Sequence, residues 1–249
     1  MFAFIIFVVV FVVIFVRLAF RNTRNIREII NKLLNKNCSD GPILNHKDFP
    51  WSKEFRKHQN DIKQEYLNYC KEYNVPAYKD IDSELSGGTI GWKSLFLRVF
   101  NNDTEIIDKF PITKKLINSC PCTTAYFSKL EPNVHIKAHE GLYKGVIRYH
   151  LSIIIPKKWK DCYIIVDGKK LYWRENHDLL FDDTHTHEVF NNTNEERVVL
   201  FMDVKRDFKN TVIDLINTIV LKLISINDAS VDLLVSKANI LNGRKLYKN

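Results

Sequence analysis

The spacing of hydrophobic and polar positions divides this chain into segments of different period. From Met1 to Val16 every residue is apolar, and after Arg17 the run continues through Leu18, Ala19 and Phe20. At about 1.5 Å per residue, such a run reaches roughly 30 Å as a helix, the thickness of a bilayer's hydrocarbon core. Arg17 can snorkel to the boundary. A cleaved signal peptide carries a basic start and small residues before its cleavage point, and this run has neither, so a retained N-terminal transmembrane helix over 1–20 is expected. Arg24 to Lys36 then reads as a juxtamembrane helix, and Ser52 to Tyr73 as a longer amphipathic helix capped by Ser52. The adjacent Gly87 and Gly88 break that pattern, and Trp92 to Phe100 is apolar enough for a strand.

From Cys122 to Val204 the texture changes to short runs rich in Val, Ile, Tyr and Phe, separated by turn signals such as Glu131-Pro132-Asn133 and Asp167-Gly168. Strands at this spacing predict a sandwich or barrel. Beyond Asp207 the helical period returns, with Ile213, Ile216, Val220 and Leu223 on one stripe and a second helix near Ser230 to Leu241 ahead of Gly243. These helices are expected to brace the sheet. The expected organisation is a transmembrane anchor (1–20), a juxtamembrane and helical region (21–91), a β core (92–206) and C-terminal helices (207–249).

Composition narrows the function classes. A chain of 249 residues with 45% hydrophobic content supports one domain of catalytic size plus extensions. The net charge of +8 invites a nucleic-acid reading, but the basic residues are scattered and no RNA-recognition motif, paired-cysteine zinc motif or long basic run accompanies them. No nucleic-acid partner is expected. Arg17, Arg21, Arg24, Arg27, Lys32 and Lys36 follow the apolar run, which places the rest of the chain on the cytoplasmic side of a single-pass membrane protein. Five cysteines without a regular framework suit a reducing compartment. Cys120-Pro121-Cys122 has too short a spacer for an unstrained disulfide, and ordinary core cysteines are the simpler reading.

The chemistry concentrates in "HIKAHEGLYKGVIRYHLSIIIP", residues 135–156. In a strand from Val146 to Ile154, Arg148, His150 and Ser152 share one face while Ile147, Tyr149, Leu151 and Ile153 share the other. In "LLFDDTHTHEVF", Asp183, His185 and His187 have one parity, and in "RVVLFMDV" Arg197 aligns with Val199, Phe201 and Asp203. Polar groups on three strands, each backed by hydrophobic residues, are better explained by a shared cavity than by three wet faces. Two histidines from separate strands suit a divalent iron, manganese or zinc site, and a nearby buried arginine suits a carboxylate. That pairing in a jelly roll is the layout expected of a non-haem Fe(II) oxygenase using 2-oxoglutarate. A conventional facial triad places an acid two residues after the first histidine, whereas His139-Glu140-Gly141 offers glycine there, with Glu140 pointing the other way.

The order of "YFSKLEPNVHIKAHEG", "RYHLSIIIP", "WRENHDLLFDDTHTHEVFNNT" and "RVVLFMDV" resembles the aspartyl/asparaginyl β-hydroxylase family over roughly Trp92 to Arg206. The resemblance implies a double-stranded β-helix (jelly-roll) core, mainly β with flanking helices, holding Fe(II) and using 2-oxoglutarate and O2. By position it implies that His139 and His187 bind iron, with His185 outside the site. Ser128, Arg148, His150 and Arg197 are then implied to hold 2-oxoglutarate, and Asp183 to orient a water on the metal. His135 receives no role. The apolar N-terminus and "DFPWSKEF…GWKSLFLRVF" also resemble the bacterial lipid A hydroxylase branch. Gly141 matches the family's protein-hydroxylating members, so the implied acceptor is first the β-carbon of a peptidyl Asp or Asn, and second a lipid acyl chain. Two other classes stay open: an inactive jelly roll serving as a membrane-tethered binding module, and a zinc hydrolase with His185 as third ligand.

Overall fold

Alternating β-branched and aromatic residues build the centre of this protein, and two helical blocks close around it. The computed structural model describes residues 23–227 and 229–246; the anchor expected over 1–20 lies outside them. Among the described residues no helix is long and apolar enough to cross a membrane.

The strands are β1 (Trp92–Val99), β2 (Asn102–Asp103), β3 (Cys122–Leu130), β4 (Val134–His139), β5 (Val146–Ile154), β6 (Cys162–Val166), β7 (Lys169–Tyr172), β8 (Asp178–Phe181), β9 (His187–Asn191) and β10 (Arg197–Lys205). They form two antiparallel sheets, ordered β2-β1-β3-β10-β5-β8 and β4-β9-β6-β7. The β6–β7 hairpin turns at Asp167 and Gly168, whose φ of 49° and 73° suit the tight mirror-image turn that the sequence pair predicts.

Both faces of the larger sheet are buried, and the two parities of each strand go to different cores. Phe127, Ile147, Tyr149, Leu151, Leu200 and Met202 face outward, into a cluster with Phe55, Ile62, Tyr66 and Tyr69. Those last four come from α2 (Ser52–Lys57) and α3 (Gln59–Cys70). Tyr126, Val199 and Phe201 face inward and meet Ile164, Val166 and Val189 of the smaller sheet. Two antiparallel sheets enclosing this inner core make the jelly roll, mainly β with flanking helices.

The helices depart from expectation in three ways. The segment from Ser52 is two helices, broken at His58 where ψ is 16°. Ser52 caps neither: Trp51 is already in the helical region, and the Ser52 hydroxyl accepts a bond from Arg56 Nη1 at 3.1 Å. The broad outer sheet face is covered by α2 and α3 rather than by the C-terminal helices, because the Trp51 and Phe55 rings pack on Tyr149 at 5.1 and 5.7 Å.

The remaining helices are α1 (Thr23–Lys36), α4 (Tyr78–Ile81), α5 (Pro111–Asn118), α6 (Thr211–Asn227) and α7 (Ala229–Asn242). α7 braces β1, where the Asn242 amide donates to Phe96 O at 2.9 Å. α6 packs instead on α1, with Ile213 and Leu34 in one cluster. All five cysteines are free, and burial pushes the Cys122 thiol well up, as inert core thiols require.

Candidate active site

The smaller sheet positions the two histidines. β4 and β9 pair with His139 opposite His187, after a bulge in β4 between Ile136 and His139 that resets the register. The ring centroids are 4.2 Å apart. Each ring turns Nδ1 to a backbone carbonyl, His139 to Lys137 O at 2.8 Å and His187 to His185 O at 2.9 Å. A carbonyl only accepts, so Nδ1 carries the proton and Nε2 keeps its lone pair, the tautomer a metal-binding imidazole needs. Burial holds both rings neutral: it lowers the pKa of His139, and with Arg148 and His139 beside it His187 falls to about 3. Among the described residues no group of three His, Cys, Asp or Glu gathers as a metal site. The donor set is two imidazoles, which suits an iron that keeps open positions.

Asp183 is buried in the β8–β9 connection, four residues before His187. Its Oδ2 lies 2.8 Å from Arg148 Nη2, while Oδ1 is buried without a partner. Burial, with Asp203 and Asp182 close by, pushes its pKa up to about 6 against the pull of Arg148. A Cβ at Gly141 would fall 1.9 Å from Asp183 Oδ2, and Gly141 N donates to Asp183 O at 2.6 Å. The glycine that replaces the usual acid is therefore the space that Asp183 occupies.

The larger sheet supplies the other wall. Ser128 (β3), Arg148 and His150 (β5) and Arg197 (β10) line one narrow cavity with His139 and His187. The buried Trp92 indole donates to Ser128 Oγ at 2.9 Å. His150 is buried with neither ring nitrogen bonded, and burial with Arg197 and Arg148 nearby holds its pKa well below the ordinary value. Arg197 is 1% exposed, donates to Ser128 O at 3.2 Å, lies over the Trp173 ring, and leaves Nε unbonded. No carboxylate pairs with it among the described residues. A buried cation without an anion is costly, which is the signature of a site built for an anionic ligand.

Arg148 is engaged differently. Its Nε and Nη2 both lie 3.1 Å from Asp203 Oδ1, its Nη2 also pairs with Asp183, and the guanidinium stacks over Phe201. Here it holds two carboxylates of the chain, and its charge is stabilised despite burial by both of them.

His185, which strand parity placed beside His187, points elsewhere. Residues 182–186 form a turn in which Asp182 Oδ1 accepts from Thr184 N and Oγ1 at 3.1 and 2.6 Å, so parity does not run through it. His185 Nδ1 sits 4.0 Å from Asp167 in the hairpin, away from the cavity lining. His135 stacks on Phe190 and meets Glu188, and Glu140 accepts from Thr186, all outside the cavity. Trp92, Asp203 and Trp173 are site residues that the sequence reading assigned no role. Asp203 could have been found, since it shares the Arg197 face of β10.

Comparison with known proteins gives the family. The aspartyl/asparaginyl beta-hydroxylase family model matches residues 56–207. An ornithine lipid ester-linked acyl 2-hydroxylase of Rhizobium tropici is 35% identical over 176 residues, covering 68% of this chain and 62% of that protein. The human aspartyl/asparaginyl beta-hydroxylase is 30% identical over 99 residues, 40% of this chain and 12% of that protein. A Xenopus tropicalis aspartate beta-hydroxylase domain-containing protein 2 is 36% identical over 83 residues, 32% of this chain and 22% of that one. The chain thus spans less than two thirds of the length of these relatives. Because the family match covers more than half of the sequence, including the β4–β10 walls of the cavity, this chain belongs to the aspartyl/asparaginyl β-hydroxylase family.

Proposed function

We propose that the protein is an Fe(II)- and 2-oxoglutarate-dependent hydroxylase whose acceptor is the acyl chain of a membrane lipid. The observation that carries the cosubstrate is Arg197, a fully buried guanidinium with no carboxylate partner among the described residues, at the end of a cavity whose other wall is His139 and His187. A dicarboxylic oxo-acid would supply the missing anion.

The residues present fit an iron centre: the Nε2 atoms of His139 and His187 would hold it. Iron with 2-oxoglutarate and O2 supplies an oxidant able to insert oxygen into an unactivated C–H, leaving succinate and CO2. Arg197 grips a carboxylate with its fork, a geometry a lysine cannot reproduce. Ser128, oriented by Trp92, offers its hydroxyl proton to the same group, and the neutral His150 can donate one N–H. Asp203 holds Arg148, Arg148 holds Asp183, and the free Asp183 Oδ1 can accept a hydrogen bond from a water beside it. Ile136, Ile164, Val189 and Phe201 keep the lining otherwise apolar.

The lipid acceptor rests on the extent of likeness to the Rhizobium acyl 2-hydroxylase, 176 residues against 99 for the human protein. It reverses the order suggested by Gly141, which favours a peptidyl Asp or Asn, as does the shorter likeness to the human protein. The apolar 1–20 segment is proposed as a membrane anchor, with the hydroxylase part in the cytoplasm.

The test is anaerobic addition of Fe(II) and then 2-oxoglutarate to the purified chain. A visible charge-transfer band is expected, followed by succinate formation when O2 is admitted. A protein that binds iron but gives no band on adding 2-oxoglutarate would sink this reading.

A further inference from the structure

Helix α6 is apolar on both sides. Its inner side is accounted for: Ile213 joins Leu34 and Phe208, and Val220 and Leu221 are buried. Its outer side is not. Val212, Leu215 and Ile226 are 60%, 50% and 61% exposed, and the half-buried Ile219 and Leu223 fall between them at helical spacing. Singly exposed apolar residues are ordinary, but a stripe running the length of a 17-residue helix is not.

Three observations bear on what covers it. The charged residue within the stripe, at 222, is a lysine, and the acid nearest its start, Asp214, is paired with Lys205 at 2.7 Å. On α1, which packs against α6 through Leu34, the exposed positions 28, 29, 32, 33, 35 and 36 read Glu, Ile, Lys, Leu, Asn, Lys, so that Ile29, Lys32, Leu33 and Lys36 form one stripe at helical spacing. Apolar residues edged by lysines are the pattern of a helix lying in an anionic lipid interface. α1 also begins at Thr23, close behind the apolar run of residues 1–20, so the chain reaches this layer directly from the segment proposed as the anchor.

The layer is tied to the candidate active site. The buried Asn217 on the inner side of α6 donates to Gly145 O and Arg206 O at 2.9 Å and accepts from Tyr143 Oη at 2.7 Å. Asn31 of α1 donates to Leu142 O at 3.0 Å. Residues 142–145 continue directly from Gly141, against which Asp183 is packed.

We propose that the outer stripe of α6 rests on an anionic bilayer surface, so that the cavity takes its acyl chain from that leaflet on the side of His139, two residues before Gly141. This rests on the acyl-chain reading given above. A helix is about 10 Å across, so the 142–145 segment on its inner side lies within reach of the headgroup boundary.

The test uses the full chain reconstituted in vesicles of phosphatidylcholine and phosphatidylglycerol, with part of the phosphatidylcholine brominated in its acyl chains. A tryptophan is introduced by Leu215→Trp and, in a second variant, by Val212→Trp, and its emission is taken as the difference from the parent protein. The bromolipid is expected to quench most of the added emission, and less of it when phosphatidylglycerol is omitted. Unquenched emission from both variants overturns the proposal. So does emission that is shifted to the blue but unquenched, which would mean that a second copy of the chain covers the stripe. The unsubstituted chain's charge-transfer band tests the hydroxylase reading separately, so the two failures are distinguishable.

Discussion

Gly141 and Asp183 occupy one space: the Cβ that any other residue would carry at 141 would lie 1.9 Å from Asp183 Oδ2, far inside contact distance. The Asp183 carboxylate, reached through the β8–β9 turn, thus stands next to where a conventional triad would begin its acidic side chain.

Gly141→Ala follows from this as the sharpest steric test. A methyl group forces Asp183 off Arg148, so we expect loss of about 1–3 kcal/mol of stability from overpacking, and turnover well below wild type even where the protein folds. Gly141→Asp adds a second charge beside Asp183 and should be worse in turnover, whatever it does to iron affinity. Urea unfolding and succinate formation check both; wild-type turnover in the alanine variant would mean that the Gly141–Asp183 contact is dispensable.

His187→Ala and His185→Ala separate neighbours of the same parity. The first removes one of two proposed metal-binding imidazoles and should abolish O2-dependent succinate formation and iron binding, with the fold intact by circular dichroism. His185 faces Asp167 at 4.0 Å outside the cavity, so its loss should change both by less than about twofold. Reversed effects would exchange the two assignments.

Arg197→Lys keeps the charge and loses the fork. A hydrogen bond to a charged group contributes about 1.5–3 kcal/mol, so the 2-oxoglutarate KM should rise roughly ten- to a hundredfold with a smaller change in kcat. An unchanged KM removes Arg197 from the cosubstrate.

Asp182→Asn probes the frame beneath the site. Asp182 is fully buried, 2.6 Å from both Lys144 Nζ and Arg206 Nη2. Burial alone would raise its pKa, but Arg206 and the bonds from Lys144 and Thr184 hold it below the ordinary value. A depressed carboxyl contributes stability that is present above its unfolded pKa, near 4, and is lost as pH falls through the lower folded value. The variant should lose about 3–5 kcal/mol at neutral pH, since the buried Lys144 loses its anion and Arg206 keeps only the half-exposed Asp40, 2.9 Å from its Nη1. Its stability should then fall less steeply than wild type's between about pH 4 and pH 2. Urea midpoints across that range read the difference, and parallel slopes would contradict it.

Strand period is a local property, and it was enough to determine much of this protein. The side-chain alternation in Val146–Ile154 put Arg148 and His150 on one face and Tyr149 and Leu151 on the other, and the structure sends those faces to the inner cavity and the outer core. The ordered motifs from Tyr126 to Val204 likewise carried the family, because each combines residue types rarely found together at such spacing. Contacts between distant segments were not legible. Nothing local distinguishes His185 from His187 until Asp182 closes its turn. Nothing local says that Gly141 must be bare until Asp183 arrives 42 positions later, or that Arg148 will spend its guanidinium on Asp183 and Asp203. Which helices cover the outer sheet was also decided in three dimensions, by Trp51 and Phe55 finding Tyr149. Side-chain direction follows from the backbone of a few neighbouring residues, whereas a buried charge takes whichever partner the assembled sheets bring within reach.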